Sequence, residues 1–216
     1  MFQFPPLPAI ETHHRVVAFA FAAVFIAVEL VLGASDIGLL PPDLRWAAYR
    51  EFGFMDPWFD AWLSGRRAPP QVAWTPLTYA FLHGGMTHLA LNTAAFLGLG
   101  LVVLRIFGAP LFALFFVVTA LGGSLTYGLL ADAEFPMVGA SGVVFGLIGV
   151  LNYAEFAFIT RRPERGSMRP FLTSLLGLVA INVILGVAMQ GMLAWETHLG
   201  GFVAGWLAAW AVIPRV

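Results

Sequence analysis

No cysteine occurs in the 216 residues, and no lysine either: all 11 basic side chains are arginine. The missing thiols exclude disulfides, zinc–thiolate and iron–sulfur centres and a cysteine nucleophile. Charge of both signs is scarce, at 11%, against 60% hydrophobic residues, a balance foreign to ordinary soluble domains. The chain therefore reads as an integral membrane protein. A formal net charge of −1 carries no signal for a nucleic-acid partner. Nothing basic precedes Arg15, so the n-region of a signal peptide is lacking, and Gly33-Ala34-Ser35 reads as the end of an uncleaved first span rather than as a cleavage site.

What the chain does have is long apolar runs. A span needs roughly 17–25 mostly apolar residues, and stretches of that kind run approximately over Val16–Leu32, Leu77–Leu104, Ala109–Ala131, Val138–Ile159, Phe171–Met189 and Ala194–Ile213. The expected fold is all-α, a polytopic bundle of six transmembrane helices. There is no internal repeat and no linker, so residues 1–216 are read as a single membrane domain. Arginine marks the cytoplasmic side: Arg161, Arg162, Arg165 and Arg169 sit between spans four and five, Arg105 between two and three, and Arg15 and Arg215 at the ends. Both termini are thus expected inside. The connection 33–76 is long and on the outer side, and its mixture of Trp46, Tyr49, Phe52, Trp58 and Trp62 with charge suits an amphipathic loop half-submerged in the headgroup layer.

With that orientation, three spans place polar groups at one depth in the outer leaflet: His83, His88 and Asn92 in the second, Ser141 in the fourth, His198 in the sixth. Polar side chains at such depth are costly unless they face the interior and one another. Ser141 lies in the small-residue turn Gly139-Ala140-Ser141-Gly142. Acyl transfer requires a hydroxyl nucleophile, a base and donors for the oxyanion; Ser141 and His198 supply the first two. No carboxylate adjoins them except Glu196 in the neighbouring loop, which favours a serine–histidine dyad. His198, Gly201 and Gly205 fall at i, i+3 and i+7 of one helix face, and Gly142, Gly146 and Gly149 form a matching bare face, so packing the two would bring His198 over Ser141. Phe145, one turn below Ser141, is placed to hold the imidazole. His88 and Asn92, four residues apart, can donate with the Ser141 amide to an oxyanion. His83 points elsewhere and is read as ordering the loop. Zinc on His83, His88 and His198 is the rival, but no carboxylate and no HExxH pair accompanies them, and neither metal nor cofactor is expected. Glu29, Asn152, Glu155 and Asn182 remain as buried polar residues; Glu29 and Glu155, near opposite span ends, are expected to reach water or, for Glu155, the arginine cluster.

The stretches His83-Gly-Gly-Met-Thr-His88-Leu-Ala-Leu-Asn92, Gly139-Ala-Ser141-Gly142 through Gly146, and His198-Leu-Gly-Gly201-Phe-Val-Ala-Gly205, in this order on these spans, resemble the rhomboid intramembrane serine proteases. The resemblance implies Ser141 as nucleophile, His198 as general base and then acid, and Asn92, His88 and the Ser141 amide as oxyanion stabilisers. It also implies single-span membrane proteins within the lipid bilayer as substrates. The absence of an extra span before the first or after the sixth resembles the minimal bacterial form, which implies an inner (plasma) membrane location. Three positions depart from the family pattern: Thr75 follows Trp74 where many members have arginine, Phe145 replaces a common tyrosine, and Thr197 a common alanine. The loop Met189, Gln190, Gly191, Met192 is read as a movable cap. The competing functions are an inactive relative that binds membrane proteins, and a six-span transporter, against which stands the lack of repeat symmetry.

Overall fold

A computed structural model of the protein describes residues 7, 9–161, 167–188 and 193–214. The proposed cap Met189–Met192, and Arg162, Arg165 and Arg215 of the charge-sidedness argument, lie outside the described residues. The chain folds into α1 (Thr12–Asp36), α2 (Leu44–Phe52), α3 (Asp56–Leu63), a short α4 (Thr75–Thr78), α5 (Met86–Leu130), α6 (Ser141–Arg161), α7 (Met168–Ala188) and α8 (Trp195–Val212). The all-helical, polytopic expectation holds. Helices α1, α5 and α6 are long and apolar enough to cross a membrane, and α7 carries a further apolar stretch, Phe171–Ile184.

Spans two and three follow one another within α5, 45 residues divided at Gly108, where the sequence reading also parted them. At about 1.5 Å per residue it would be roughly 67 Å long if straight, twice the ~30 Å hydrocarbon core. It is not straight: Gly108 takes φ 77° and ψ 171°, two residues before Pro110, so the helix breaks there into two limbs of spanning length with no loop between. What differs from the sequence reading is where the second span begins. The apolar run from Leu77 is not membrane helix; it forms the short α4 and a 3₁₀ turn, Tyr79–Phe81, and α5 starts only at Met86. That turn is apolar because it is interior: Tyr79 and Ala80 are fully buried, and the Tyr79 hydroxyl donates to the Ala120 carbonyl at 3.0 Å.

Because lipid is as apolar as leucine, burial alone does not drive spans together; close packing does. The two bare faces meet as their spacing requires. A Cβ on Gly201 would collide with the Gly142 carbonyl, one on Gly205 with the Gly146 carbonyl, and one on Gly149 with the Phe202 carbonyl. On the other side of the bundle, α1 seals against α5 through aromatic rings, Phe21 lying 4.6 Å from Phe116 and Phe25 5.2 Å from Phe96.

The connection 33–76 contains α2 and α3 rather than loop alone, with Trp46 and Trp62 exposed. A buried ion pair fastens it: Arg45 on α2 donates to both oxygens of Glu29 on α1 at 2.8 and 3.1 Å, and to Asp36 at 2.6 Å. Glu29, expected to reach water, is instead 1% exposed, and Arg45 is the reason its charge is tolerated there. Glu155 is likewise buried away from water, and the arginine cluster it was expected to meet lies partly outside the described residues. An isolated bridge between Phe54 and Met137 (2.9 and 3.1 Å) joins this connection to the turn ahead of α6.

Asp56, the first residue of α3, is buried and accepts from the Ala133 amide at 3.3 Å. Burial pushes its carboxyl above the ordinary 3.8, the negative Asp60, Asp132 and Glu196 add to this, and the Ala133 amide opposes it. An acid whose pKa is raised by folding favours the native state most when protonated, so this contribution weakens as pH climbs past the ordinary value. Asp56→Asn keeps an oxygen for Ala133 and removes the charge. It should therefore raise the unfolding temperature near neutral pH, with the difference from the parent closing below about pH 4; a gap independent of pH in thermal melts would contradict this.

Candidate active site

Ser141 is the first residue of α6. Helix formation leaves the amides of a first turn without intrahelical acceptors, so the Ser141 N–H is a free donor at the positive end of the helix. The turn that delivers it is held by backbone at two points: the Gly139 amide donates to the Tyr79 carbonyl at 3.0 Å, and Met137 pairs with Phe54. Gly139 has φ 125°, and a Cβ there would stand 2.7 Å from Cε1 and 2.8 Å from Nε2 of His88. Glycine is required both for the backbone angle and for the imidazole that lies over it.

His198 stands on α8 one turn before Gly201, and the Gly201–Gly142 contact brings that turn against the start of α6. Its ring is 4% exposed and stacks on Phe145 with centroids 4.1 Å apart and planes 5° from parallel. Aromatic stacking at Phe145 fixes the plane of the imidazole, and the departure from tyrosine leaves this surface intact. Thr197, another of the three departures, is buried with its hydroxyl 2.6 Å from the Met137 sulfur, and its methyl fills the space a Cβ on Gly142 would take, 2.6 Å away. Among the described residues no hydrogen bond joins Ser141 to His198; catalytic pairs are often loose without substrate.

His88 lies on the first turn of α5 and accepts a hydrogen bond at Nδ1 from the Gly84 amide, 3.1 Å. Asn92, one turn further on the same face and 7% exposed, donates to the His88 carbonyl at 3.0 Å, leaving its second amide hydrogen uncommitted. His83 is not part of this face. Its carbonyl accepts from Arg45 at 2.9 Å and from the Tyr49 hydroxyl at 2.8 Å, tying the loop to α2. Its fully buried ring lies edge-on to His88 at 5.3 Å. No group of three or more His, Asp or Glu able to hold a metal occurs among the described residues.

Two features were not assigned from sequence. The first is Asn182 on α7, whose Oδ1 lies 2.7 Å from His198 Nδ1. The available signal was a lone amide in an otherwise apolar span, which demands a partner without naming it. The second is a cavity of about 750 Å³ between α6, α7 and α8, lined by Phe145, Leu178, Asn182, Gly186, Trp195 and His198 among others. It is apolar except where Asn182 and His198 face it, the composition of a pocket that receives an apolar chain and orients it with few polar groups.

The same residues are matched by comparison with known proteins. The family model described as the Rhomboid domain covers residues 70–215, which includes the stretches bearing His83, His88, Asn92, Ser141 and His198. Over 143 residues, 66% of this chain and 27% of the relative, the sequence is 31% identical to a protein named Rhomboid protease GluP from Bacillus subtilis. It is 33% identical to RHOMBOID-like protein 4 of Arabidopsis thaliana over 142 residues, 66% of this chain and 34% of that one. A shorter match, 75 residues at 39% identity, covers 35% of this chain and 18% of Rhomboid-related protein 3 of Homo sapiens. The matches span about a quarter to a third of the length of these two longer-matching relatives. A family model covering more than half the chain makes this integral membrane protein a member of the rhomboid family.

Proposed function

We propose that the protein is an intramembrane serine endopeptidase that cleaves transmembrane segments of single-span membrane proteins near the outer face of the bilayer. The observation that carries this reading is the parallel stack of His198 on Phe145, which seats an imidazole one helical turn from the serine at the start of α6. In the proposed reaction the Ser141 hydroxyl oxygen attacks the scissile carbonyl carbon while His198 Nε2 takes its proton. The carbonyl oxygen becomes an oxyanion held by the Ser141 amide, His88 and Asn92. Collapse expels the amine, which leaves with the proton from His198. Water then attacks the acyl-enzyme, again through His198, and frees the serine.

An intact helix presents amides already bonded and shielded, so cleavage needs a segment that frays within reach of Ser141. The apolar cavity beside His198 supports this reading, because it offers such a segment walls in place of lipid. The arginine pattern supports cytoplasmic termini with Ser141 in the outer leaflet.

Purified protein in liposomes, given a panel of single-span substrates, should cut at least one with small or helix-breaking residues near its outer end. Ser141→Ala and His198→Ala should each abolish cleavage, and a fluorophosphonate should label the parent but not Ser141→Ala. Equal cutting by the two variants would remove the dyad. Absence of both cutting and labelling would favour the alternative, a rhomboid fold that binds membrane proteins without cleaving them.

A further inference from the structure

Asn182 makes two side-chain contacts, and together they settle which way its amide points. Its Nδ2 donates to the Leu178 carbonyl one turn back on α7, at 3.0 Å, and its Oδ1 faces His198 Nδ1 at 2.7 Å. A flipped amide would set its oxygen against a carbonyl oxygen, two acceptors with no proton between them. The oxygen therefore faces the ring, and an oxygen can only accept. His198 must then carry its proton on Nδ1, which leaves the Nε2 lone pair free.

We propose that Asn182 is a positioning residue for His198: the hydrogen bond from α7 holds the imidazole in the tautomer whose Nε2 can accept the Ser141 proton. Phe145 fixes the plane of the ring but is blind to which nitrogen bears the proton, because stacking does not distinguish the two. The amide supplies what the stack does not. Where a soluble hydrolase would use a carboxylate to orient its histidine, a neutral amide does so inside the bilayer without burying a charge.

The contact also has a structural side. The inner end of α7 is packed through Phe171, with Phe156 at 5.8 Å and Trp206 at 5.9 Å. Further out, the cavity separates α7 from α6 and α8, and the Asn182–His198 bond crosses beside it. Leu176, Val179 and Val183 of α7 are exposed along this part of the helix. The tautomer of the base thus depends on where the outer part of α7 sits.

The catalytic consequence rests on the protease reading; the tautomer does not, and the test separates them. Nitrogen-15 spectra of histidine-labelled protein in micelles, with His198 assigned by its loss in His198→Gln, should show a proton on Nδ1 in the parent. Asn182→Ala should lose that signature and Asn182→Asp, which keeps an acceptor, should retain it. With substrate, Asn182→Ala should lower kcat about tenfold with KM nearly unchanged, part of the 10²–10⁴-fold that a positioned base contributes, and Asn182→Asp should recover most of the loss. Proton on Nε2 in the parent, or an unaltered Nδ1 signature in Asn182→Ala, would overturn the proposal whether or not any substrate is cut. A normal tautomer response with no proteolysis would leave it standing and count against the protease reading alone.

Discussion

Gly201→Val is expected to prevent α8 from seating on α6 and to lower the unfolding temperature more than any other single change considered. The Cβ of any residue at 201 would meet the Gly142 carbonyl, and backbone cannot swing aside as a flexible side chain can. Because van der Waals contact rather than solvent exclusion joins spans in lipid, moving the helices apart loses the attraction along the whole glycine seam, down through Gly205 and Gly149. Overpacking typically costs 1–3 kcal/mol, and a collision with backbone at the centre of a seam belongs at about 3 kcal/mol or above. The contrasting change is Gly98→Ala on α5, where a Cβ meets nothing within 4 Å. There the substitution should be neutral or gain up to about 1 kcal/mol from helix propensity. Thermal unfolding in detergent micelles compares the two; a Gly201→Val protein melting like the parent would mean the seam does not hold the bundle.

That seam was readable before any coordinates, because small-residue spacing is a local property: Gly142, Gly146 and Gly149 define one bare face and Gly201 and Gly205 another, whatever surrounds them. The placing of Phe145 beneath the imidazole follows from the same one-turn offset. What spacing does not carry is the partner across a gap in sequence. Arg45 and Glu29 are 16 residues apart, as are Asn182 and His198, and each pair joins two different helices. Hydropathy also misplaced the start of the second span, since the run from Leu77 is apolar from being interior to the protein, not from facing lipid. The division between spans two and three was legible, and Gly108 makes it by turning the chain in a single residue of positive φ.

The second large expectation concerns the oxyanion. His88→Ala should lower kcat about 100-fold, and Asn92→Ala by a comparable factor, each with little change in KM, as for loss of one preorganised donor. The argument again runs through tautomers. The Gly84 amide donates to His88 Nδ1, so that nitrogen is the acceptor and a neutral ring carries its proton on Nε2. The Cε1–Nε2 edge of the ring lies over Gly139, two residues before the serine. The two imidazoles of the site are therefore held in opposite states by their neighbours. On the proposed mechanism His88 would present a proton as donor, and His198, with its proton on Nδ1, a lone pair as base. His88→Ala,Asn92→Ala should fall short of the product of the single losses, because both donors act on the same developing charge. If instead His88→Ala raises KM and leaves kcat intact, His88 contacts the bound substrate equally in ground and transition states, and the oxyanion assignment fails for that residue.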